Sequence, residues 1–220
     1  MPFAGHLSTV KVTGTPTAMV GEACTNLGSN VFQVTASAKR ILDPDAAIVV
    51  KDAGVPVATT NYVLNKLFGK ILFSVAPGGA VTVDANYLPT LDVIECKEFS
   101  VSNARDLADT TVFKTSPHRT KLALLKDASG SISHLKALLD DLDPGGGTVK
   151  LYDLMANGTR KVLELAFGNS GYVWRGWVLF DSQEVAAAFD DLVNASLNWQ
   201  ATLDDSQSAL GNSAFGFDLA

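Results

Sequence analysis

The sequence predicts a mainly β fold of the α+β kind, a sandwich or barrel of antiparallel strands flanked by one short helix. Apolar and polar residues alternate along many short segments, and turn formers such as Asn157-Gly158 stand between them. With 220 residues, 47% of them hydrophobic, the chain is long enough to bury a core without disulfides or metals. Because the longest apolar runs span only five residues, we expect a soluble protein without membrane-spanning helices.

Ten segments have the length and alternation of strands. The clearest is 193–201, where Val193, Leu197 and Trp199 share one face and polar residues share the other. The polar face carries no charge and consists of Asn194, Ser196, Asn198 and Gln200. The other predicted strands are 32–36, 48–51, 70–75, 80–84, 91–101, 121–125, 148–153, 161–167 and 172–180.

One segment has a helical period instead. Leucines recur at i, i+3, i+4 and i+7 from Leu135 to Leu142, Ser133 stands at the N-cap position, and Pro144 with three glycines follows. The sequence therefore predicts a helix over about 134–142. A helix this short needs a partner, so we expect its leucine stripe to pack on a sheet.

The chain divides near Pro89 in the predicted organisation. The predicted parts are an N-terminal arm (1–30), a small strand-rich unit (31–90), the main β-sandwich with its helix (91–203) and a C-terminal tail (204–220). A short turn is predicted at Asp181 or Ser182. The tail keeps Phe215 and Phe217, so it either docks on a neighbouring subunit or folds back onto its own chain.

The aromatic residues of the predicted strand 172–180 lie on both of its faces. Tyr172, Trp174 and Phe180 fall on one parity, and Trp177 falls on the other. A strand with large apolar groups on both faces is usually covered on both sides. Two explanations stay open: the strand is central in a sandwich with a helix on its back, or its second face is covered by a partner.

The net negative charge is concentrated at the carboxyl end. The whole chain has a formal charge of −6, and after Arg175 there are seven carboxylates and no Lys or Arg. Tight nucleic-acid binding depends on neutralising phosphates with cations, so this distribution argues against it. The stretch is either a solvated, solubilising face or a surface that repels DNA.

The sequence offers little catalytic chemistry. His6, His118 and His134 fall in no metal-binding or nucleophile motif, and the two cysteines, Cys24 and Cys96, form neither a disulfide framework nor a zinc motif. We therefore expect no catalytic residues, no cofactor and no metal, and we expect the protein not to be an enzyme.

A strand, a loop motif and a second strand with a turn motif follow one another between residues 94 and 132. A strand over 94–101 is followed by a loop with Asp109-Thr110-Thr111, then by a strand that ends in the turn-like Asp127-Ala128-Ser129-Gly130-Ser131. A second stretch, 176–202, places a strand, an acidic turn and a long final strand in series. Together they resemble the major tail tube protein family of long-tailed bacteriophages with non-contractile tails.

The resemblance implies a β-sandwich flanked by one helix, six copies of which form a ring. Rings would stack into a hollow tube that conducts double-stranded DNA without binding it specifically. The implied partners are other copies and further tail proteins (tape measure, terminator and tail tip), with no membrane. The implied location is the virion tail, assembled in the bacterial host cytoplasm. Open sheet edges would be removed by ring closure, which agrees with this reading.

Two sets of candidate site residues follow. In the family the long loop after the first core strand reaches a neighbouring subunit or ring, and here that loop is 104–119, with the candidate contact residues Asp109, Thr110, Thr111 and Phe113. The uncharged polar face of Asn194, Ser196, Asn198 and Gln200 is the candidate lumen lining, the alternative being an ordinary outer surface.

Two other functions remain open. One is a ligand-binding β-sandwich that recognises carbohydrate or protein, for which Tyr172 or Trp174 would form an exposed aromatic platform. The other is a different phage structural protein, such as a capsid decoration or neck protein.

Overall fold

Sixteen strands make up most of the described chain. The computed structural model describes residues 8–93, 96–109, 121–134, 157–158, 160–168, 171–186, 194–202 and 215–219. The strands in these ranges are β1 (Thr9–Thr13), β2 (Thr17–Gly28), β3 (Val31–Val34), β4 (Val49–Asp52), β5 (Val55–Pro56), β6 (Tyr62–Asn65), β7 (Lys70–Phe73), β8 (Val81–Tyr87), β9 (Thr90–Asp92), β10 (Cys96–Phe99), β11 (Ser102–Asp109), β12 (Lys121–His134), β13 (Lys161–Ala166), β14 (Tyr172–Ala186), β15 (Asn194–Ala201) and β16 (Phe215–Leu219). Short 3-10 turns lie at Ser37–Lys39 and Thr59–Asn61. The mainly β class is confirmed.

The described strands pair antiparallel in two sheets. The larger sheet has the order β10-β12-β15-β14-β13-β1-β9, with β11 also paired to β12 and β16 to β14. The smaller sheet has the order β5-β4-β8-β2-β3-β7-β6. Its long strand β2 shifts register against β8 between Met19 and Glu22, where Gly21 has a φ of +64° that suits a glycine. Strand β2 pairs with β8 from Thr17 to Ala23 and with β3 from Cys24 onward.

Each sheet curls around its own apolar core. In the larger sheet, Val10 of β1 packs in one cluster with Ile132 of β12 and Leu197 of β15, although these strands are far apart in the strand order. Trp174 and Trp199 lie at its centre with ring centroids 5.0 Å apart. The smaller sheet closes over a second cluster that includes Met19, Phe32, Val50, Ile71 and Val83.

A third cluster joins the two sheets. Leu67, Phe68 and Leu88 pack there against Val162 of β13 and Trp177 of β14. The face that Trp177 occupies is therefore covered by another part of the same chain. Cover therefore comes from within the chain, but from residues that adjoin strands of the smaller sheet and not from the helix that the first explanation expected.

A buried ion pair lies beside this junction. The Arg175 Nε and Nη2 atoms each lie 2.7 Å from the Glu164 Oε2, and both side chains are less than 10% exposed. The Arg175 guanidinium also lies 5.6 Å from the centroid of the Phe68 ring. The geometry is that of a charge-assisted, desolvated contact.

The connection between the two sheets is compact. Thr13, the last residue of β1, is the register partner of Thr90, the first residue of β9. Beyond that pair, the Gly14 N–H donates to the Pro89 carbonyl over 2.8 Å. All strands of the smaller sheet lie between these two points of the sequence.

Several local predictions need correction. The turn at Asp181 or Ser182 is wrong, because β14 runs through both residues with only a bulge between Phe180 and Ser182. The turn over 127–131 is wrong as well, since β12 continues to His134. His134, the predicted start of a helix, is the last residue of that strand, and residues 135–142 lie outside the described ranges.

The loop and tail predictions also change. The predicted loop 104–119 begins as strand, because β11 extends to Asp109. In the predicted tail, β16 pairs with β14 of the same chain, placing Phe217 opposite Trp174 and Phe215 opposite Gly176. This pairing supports the alternative in which the tail folds back.

The remaining organisation stays a prediction. The division into 1–30, 31–90, 91–203 and 204–220 is not decided by the strand pairing, although β1 and β2 lie within the predicted arm. None of the helical segments that the structure describes has the length and apolar character needed to cross a bilayer.

Candidate assembly surface

Strand β15 separates a buried face from a polar one. Leu197 and Trp199 are fully buried in the core, whereas Asn198 and Gln200 are exposed and Ser196 is half-buried. This is the alternation that the sequence predicts for a strand with one face in a core and one on water.

The neighbouring strands extend the polar face. In the register of β12 with β15, Ser129 lies opposite Gln200, Ser131 opposite Asn198 and Ser133 opposite Ser196. Ser182 of β14 lies opposite Asn198 on the other side. Directly opposed residues share a face of a sheet. We call this surface the hydroxyl–amide face, and it consists of Ser129, Ser131, Ser133, Ser182, Ser196, Asn198 and Gln200.

Side-chain hydrogen bonds cross the hydroxyl–amide face. The Asn198 Nδ2 donates to the Ser182 Oγ over 2.9 Å, and the Gln200 Nε2 donates to the Asp181 Oδ2 over 2.9 Å. At the other edge the Ser100 and Ser131 hydroxyl oxygens lie 3.0 Å apart. These bonds link neighbouring polar side chains across the strands.

Carboxylates border the hydroxyl–amide face. Glu98 lies opposite Ser133, Glu184 lies opposite Ser196, and Asp181 accepts the bond from Gln200. All three are exposed. Among the side chains described on β10, β12, β14 and β15, the one cation is Arg175, which is buried against Glu164. The described surface is therefore neutral to acidic.

A two-stranded ribbon projects from one side of this face. Residues 121–127 of β12 pair with β11, but β15 pairs only with Ser129 to His134. Within the described strands, neither β11 nor this part of β12 has a partner on its other side. A ribbon of two strands with both outer edges open is marginally stable in water and is a template for further pairing.

A second open edge lies across the sheet. Strand β13 pairs with β14 only up to Val178, whereas β14 continues to Ala186 and pairs there with β15. On the side away from β15, the part of β14 beyond Val178 has no partner among the described strands. Among the described strands, the larger sheet thus presents unpaired edges on both sides of the hydroxyl–amide face.

The structure places only some of the predicted contact residues. Asp109 ends β11 opposite Lys121. Thr110, Thr111 and Phe113 lie outside the described ranges. Asn194 begins β15 opposite Ala186.

Sequence reasoning missed the β12 contribution. Ser129, Ser131 and Ser133 alternate with Gly130 and the buried Ile132, a period of two that indicates a strand. The Ser-Gly-Ser sequence favoured a turn instead, since these residues are common in turns.

The structure buries one of the two candidate platform residues of the ligand-binding alternative and exposes the other. Trp174 is fully buried, and its Nε1 donates to the Asn103 Oδ1 over 3.3 Å. Tyr172 is 51% exposed at the start of β14. Of the two candidate rings, Tyr172 is therefore exposed as that alternative requires, and Trp174 is not.

The thiols of Cys24 and Cys96 are half-buried and have raised pKa values. Burial raises the pKa of the Cys24 thiol to about 11, and the charge of Glu22 adds to the rise. Burial also raises the pKa of the Cys96 thiol to about 11. Among the described residues no group of three His, Cys, Asp or Glu side chains is placed to hold a metal ion.

Comparisons with known proteins give distant structural likenesses. One similar solved structure is described as the tail of an empty GTA particle computed with helical refinement and C6 symmetry, at 13% identity and a TM-score of 0.44, covering 60% of this chain and 87% of that chain. Another is described as the virion of a native gene transfer agent (GTA) particle, at 15% identity and a TM-score of 0.44, covering 59% and 88%. No protein-family model and no curated protein matches the chain.

Proposed function

We propose that this protein is a structural virion protein that polymerises into a phage-type tail tube. Six copies join edge to edge into a ring, rings stack, and the hydroxyl–amide face lines the channel that conducts double-stranded DNA. Its other partners are the tape measure, terminator and tail tip proteins of the same tail.

One observation carries the proposal: the hydroxyl–amide face lies between two unpaired strand edges. Unpaired edges are a hazard for a protein that stays monomeric, and closed assemblies remove them. The two edges belong to different strands, so pairing between them is head-to-tail, and a head-to-tail contact closes into a ring when its rotation allows. When the ring closes, the hydroxyl–amide faces of neighbouring copies adjoin and form a continuous wall of the channel.

The chemistry of the face suits a DNA conduit. Phosphate binding depends on Lys and Arg, and the described face has none. Exposed hydroxyl and amide groups keep the wall wet, while Glu98, Asp181 and Glu184 repel phosphates. DNA passing along such a wall meets no strong binding site.

Electron microscopy of the purified full chain over a concentration series tests the assembly. Six-fold rings or hollow tubes are expected. In the candidate contact loop, Phe113→Asp is expected to block polymerisation while the monomer stays folded by circular dichroism. Normal tubes from that variant would show that the loop is not part of the interface between subunits.

A charge-insertion experiment tests the channel assignment. The double variant Ser131→Lys, Asn198→Lys adds two cations to the proposed wall. The control is the double variant Val55→Lys, Val75→Lys, which adds the same charge at two exposed valines in or next to strands of the smaller sheet. Tubes of the first variant are expected to retain short DNA duplexes at low salt, and tubes of the control are not. Equal retention of DNA by tubes of both variants would show that the hydroxyl–amide face does not line the channel.

The ligand-binding β-sandwich remains the second candidate, because Tyr172 is exposed at the start of β14. It predicts a monomer at every concentration. A monomer together with loss of carbohydrate or protein binding on Tyr172→Ala would favour it over the tube.

A further inference from the structure

Strands β15 and β16 lie end to end along the same side of β14. Strand β15 pairs with β14 as far as Val178, and β16 pairs with it from Gly176 towards the start of β14. Both run antiparallel to β14, so β16 lies where a direct continuation of β15 would lie. Between them, the Thr202 N–H donates to the Trp177 carbonyl over 2.8 Å. The next position along this line, opposite Gly176, is occupied by Phe215.

The chain that connects these two strands is much longer than this arrangement needs. Thr202 and Phe215 occupy consecutive positions along one line, which are about 3.3 Å apart in a strand. The twelve residues 203–214 join them, and a segment of that length can span up to about 40 Å. A compact chain of 220 residues has a radius of gyration of about 17 Å. The connection is therefore long enough for β16 to reach a neighbouring copy.

Residues 172–176 of β14 form a slot that β16 fills, and we call it the β16 slot. A Cβ at Gly176 would lie 3.0 Å from the Phe215 Cβ and 2.5 Å from the Trp174 Cη2, so only glycine leaves room for both rings. The Phe215 ring stacks on the Trp174 ring with the centroids 6.2 Å apart, and it packs against the core of the larger sheet. Removing β16 would take this apolar cover from a fully buried tryptophan, so the slot needs an occupant.

Strand β16 is attached to the sheet through one neighbour. Among the described strands it pairs with β14 and with no other. The same strand from a second copy would make the same bonds in the β16 slot, because both copies have the same sequence. Exchange of an identical element between protomers is a low-cost route to association.

We propose that β16 is exchanged between copies in the assembled protein, so that the β16 slot of each copy holds the β16 of a neighbour. This inference rests on the proposed function. It is favoured by the length of the connection, because twelve residues are far more than folding back requires and are enough to cross to a second copy. In the separate chain, β16 occupies its own slot and covers Trp174.

A cysteine pair across the β16 slot tests the exchange. Tyr172 and Leu219 are opposed in the register of β14 with β16, which places their backbones within reach of a disulfide. The double variant Tyr172→Cys, Leu219→Cys is made in a chain that also carries Cys24→Ala and Cys96→Ala. Tubes of this slot variant are assembled, oxidised and dissolved. Non-reducing electrophoresis is expected to show ladders of linked chains, whereas oxidised dilute monomer is expected to show single chains.

The control is a cysteine pair at a position where no exchange is expected. Lys11 and Asp92 are opposed in the pairing of β1 with β9. The double variant Lys11→Cys, Asp92→Cys in the same background is expected to give single chains before and after assembly. Single chains from oxidised tubes of the slot variant would overturn the exchange. Equal ladders from both variants would overturn it too, because they would show cross-linking without regard to position.

A second experiment changes the connection and leaves the β16 slot intact. Deleting residues 205–212 leaves four residues, which still join Thr202 to Phe215 within one chain but are too few to cross to a neighbour. The deletion is expected to raise the concentration needed for assembly about tenfold or more, since a connection that cannot span two sites brings their effective concentration near zero. The control replaces residues 205–212 by eight Gly and Ser residues and is expected to assemble normally. Normal assembly of the deletion variant, or equal impairment of the control, would overturn the exchange.

Electron microscopy separates this inference from the proposed function. Wild-type tubes, together with single chains from the oxidised slot variant, would support the tube and overturn the exchange. A wild-type chain that stays monomeric at every concentration would count against the tube. Oxidation of the slot variant at the highest concentration would then decide the exchange, with ladders supporting it and single chains overturning it.

Discussion

Gly130 of β12 lies where the chain after β10 approaches the core of the larger sheet. A Cβ at this position would lie 2.1 Å from the Ser100 carbonyl oxygen and 2.6 Å from the Trp199 Cζ2. The first neighbour is backbone and the second is a fully buried ring, so neither can move without disturbing the sheet or its core. Glycine is required here by space rather than by its backbone angles.

We expect Gly130→Ala to lower the free energy of unfolding by about 2 to 3 kcal/mol, as overpacked cores do. Gly78→Ala is the matched control, because the nearest atom to its added Cβ is the Asp52 Oδ2 at 3.8 Å, and its expected cost is below about 0.5 kcal/mol. Urea unfolding of both variants measures the difference. Equal stabilities would mean that β12 and Ser100 lie farther apart than described.

The two cysteines give a pH-dependent prediction. With a pKa of about 11 for the Cys24 and Cys96 thiols, the thiolate fraction at pH 8 is far below that of an ordinary thiol. We expect labelling by a thiol reagent at pH 8 to be about 100-fold slower in the folded than in the urea-unfolded chain, and to rise about tenfold per pH unit up to pH 10.

The raised thiol pKa values also determine how the free energy of unfolding changes with pH. The folded state keeps both thiols protonated at pH values where the unfolded chain releases the protons. Stability from these groups is therefore present below about pH 8.5 and is lost as the pH rises towards 11. Rapid labelling of both folded thiols at pH 8 would contradict the described burial.

Individual side-chain positions are predictable where alternation is regular. Along β15, sequence alone separates the buried Leu197 and Trp199 from the exposed Asn198 and Gln200. The bond from Trp174 to Asn103 is not predictable in this way, because the two residues are 71 positions apart and meet only through the pairing of other strands.

The ribbon of β11 with residues 121–127 of β12 is the element that most needs a partner. The rest of β12 lies between β15 and β10, which protects its backbone hydrogen bonds. Within the described strands, the ribbon is paired only through its own cross-strand bonds. Local stability is therefore expected to fall along β12 from its end towards its start.

Hydrogen exchange measures that gradient. In the monomer we expect amides of 103–109 and 121–127 to exchange faster than amides of 129–134, and in tubes we expect the ribbon to become protected. Comparing the two states of the same preparation provides the control. Ribbon amides that exchange equally fast in monomer and tube would exclude it from the interface.

Element boundaries were predictable only where no local irregularity intervenes. The bulge between Phe180 and Ser182 breaks the alternation, which made a turn more plausible than the long strand β14. Strand β2 was missed because its side chains are largely exposed and its pattern changes at Gly21. Strand β11 was missed because polar and charged residues are frequent in its sequence.

At the scale of the whole molecule, the buried Glu164–Arg175 pair stabilises the region where the two sheets meet. Its partners are almost fully desolvated, and Arg175 also contacts Phe68 of the junction cluster. Removing one member of such a pair leaves an uncompensated buried charge.

We expect Glu164→Gln to lower the free energy of unfolding by about 3 to 5 kcal/mol. The control is Asp92→Asn, which removes an ion pair of 3.9 Å to Lys11 with the Asp92 side chain 64% exposed, and its expected cost is below about 1 kcal/mol. Thermal or urea unfolding monitored by tryptophan fluorescence compares them. Similar losses in both variants would show that the Glu164–Arg175 pair is solvated.

The sequence predicted the β class of the molecule but not the relation between its sheets. Trp177 indicated a second covered face, yet nothing in the pattern distinguished cover by Phe68 and Leu88 from cover by another chain. Contacts between residues so distant along the chain depend on the complete topology, which alternation within single strands does not encode.

The adjacency of Thr13 and Thr90 also bears on how such a protein evolves. A segment that leaves and re-enters the larger sheet at paired residues can be gained or lost by one insertion or deletion event, with no change in the order of the remaining strands. We therefore expect homologues in which a short hairpin joins the equivalents of β1 and β9. In those lineages the position of Trp177 is expected to be polar, because the apolar cover supplied by Phe68 and Leu88 would be missing.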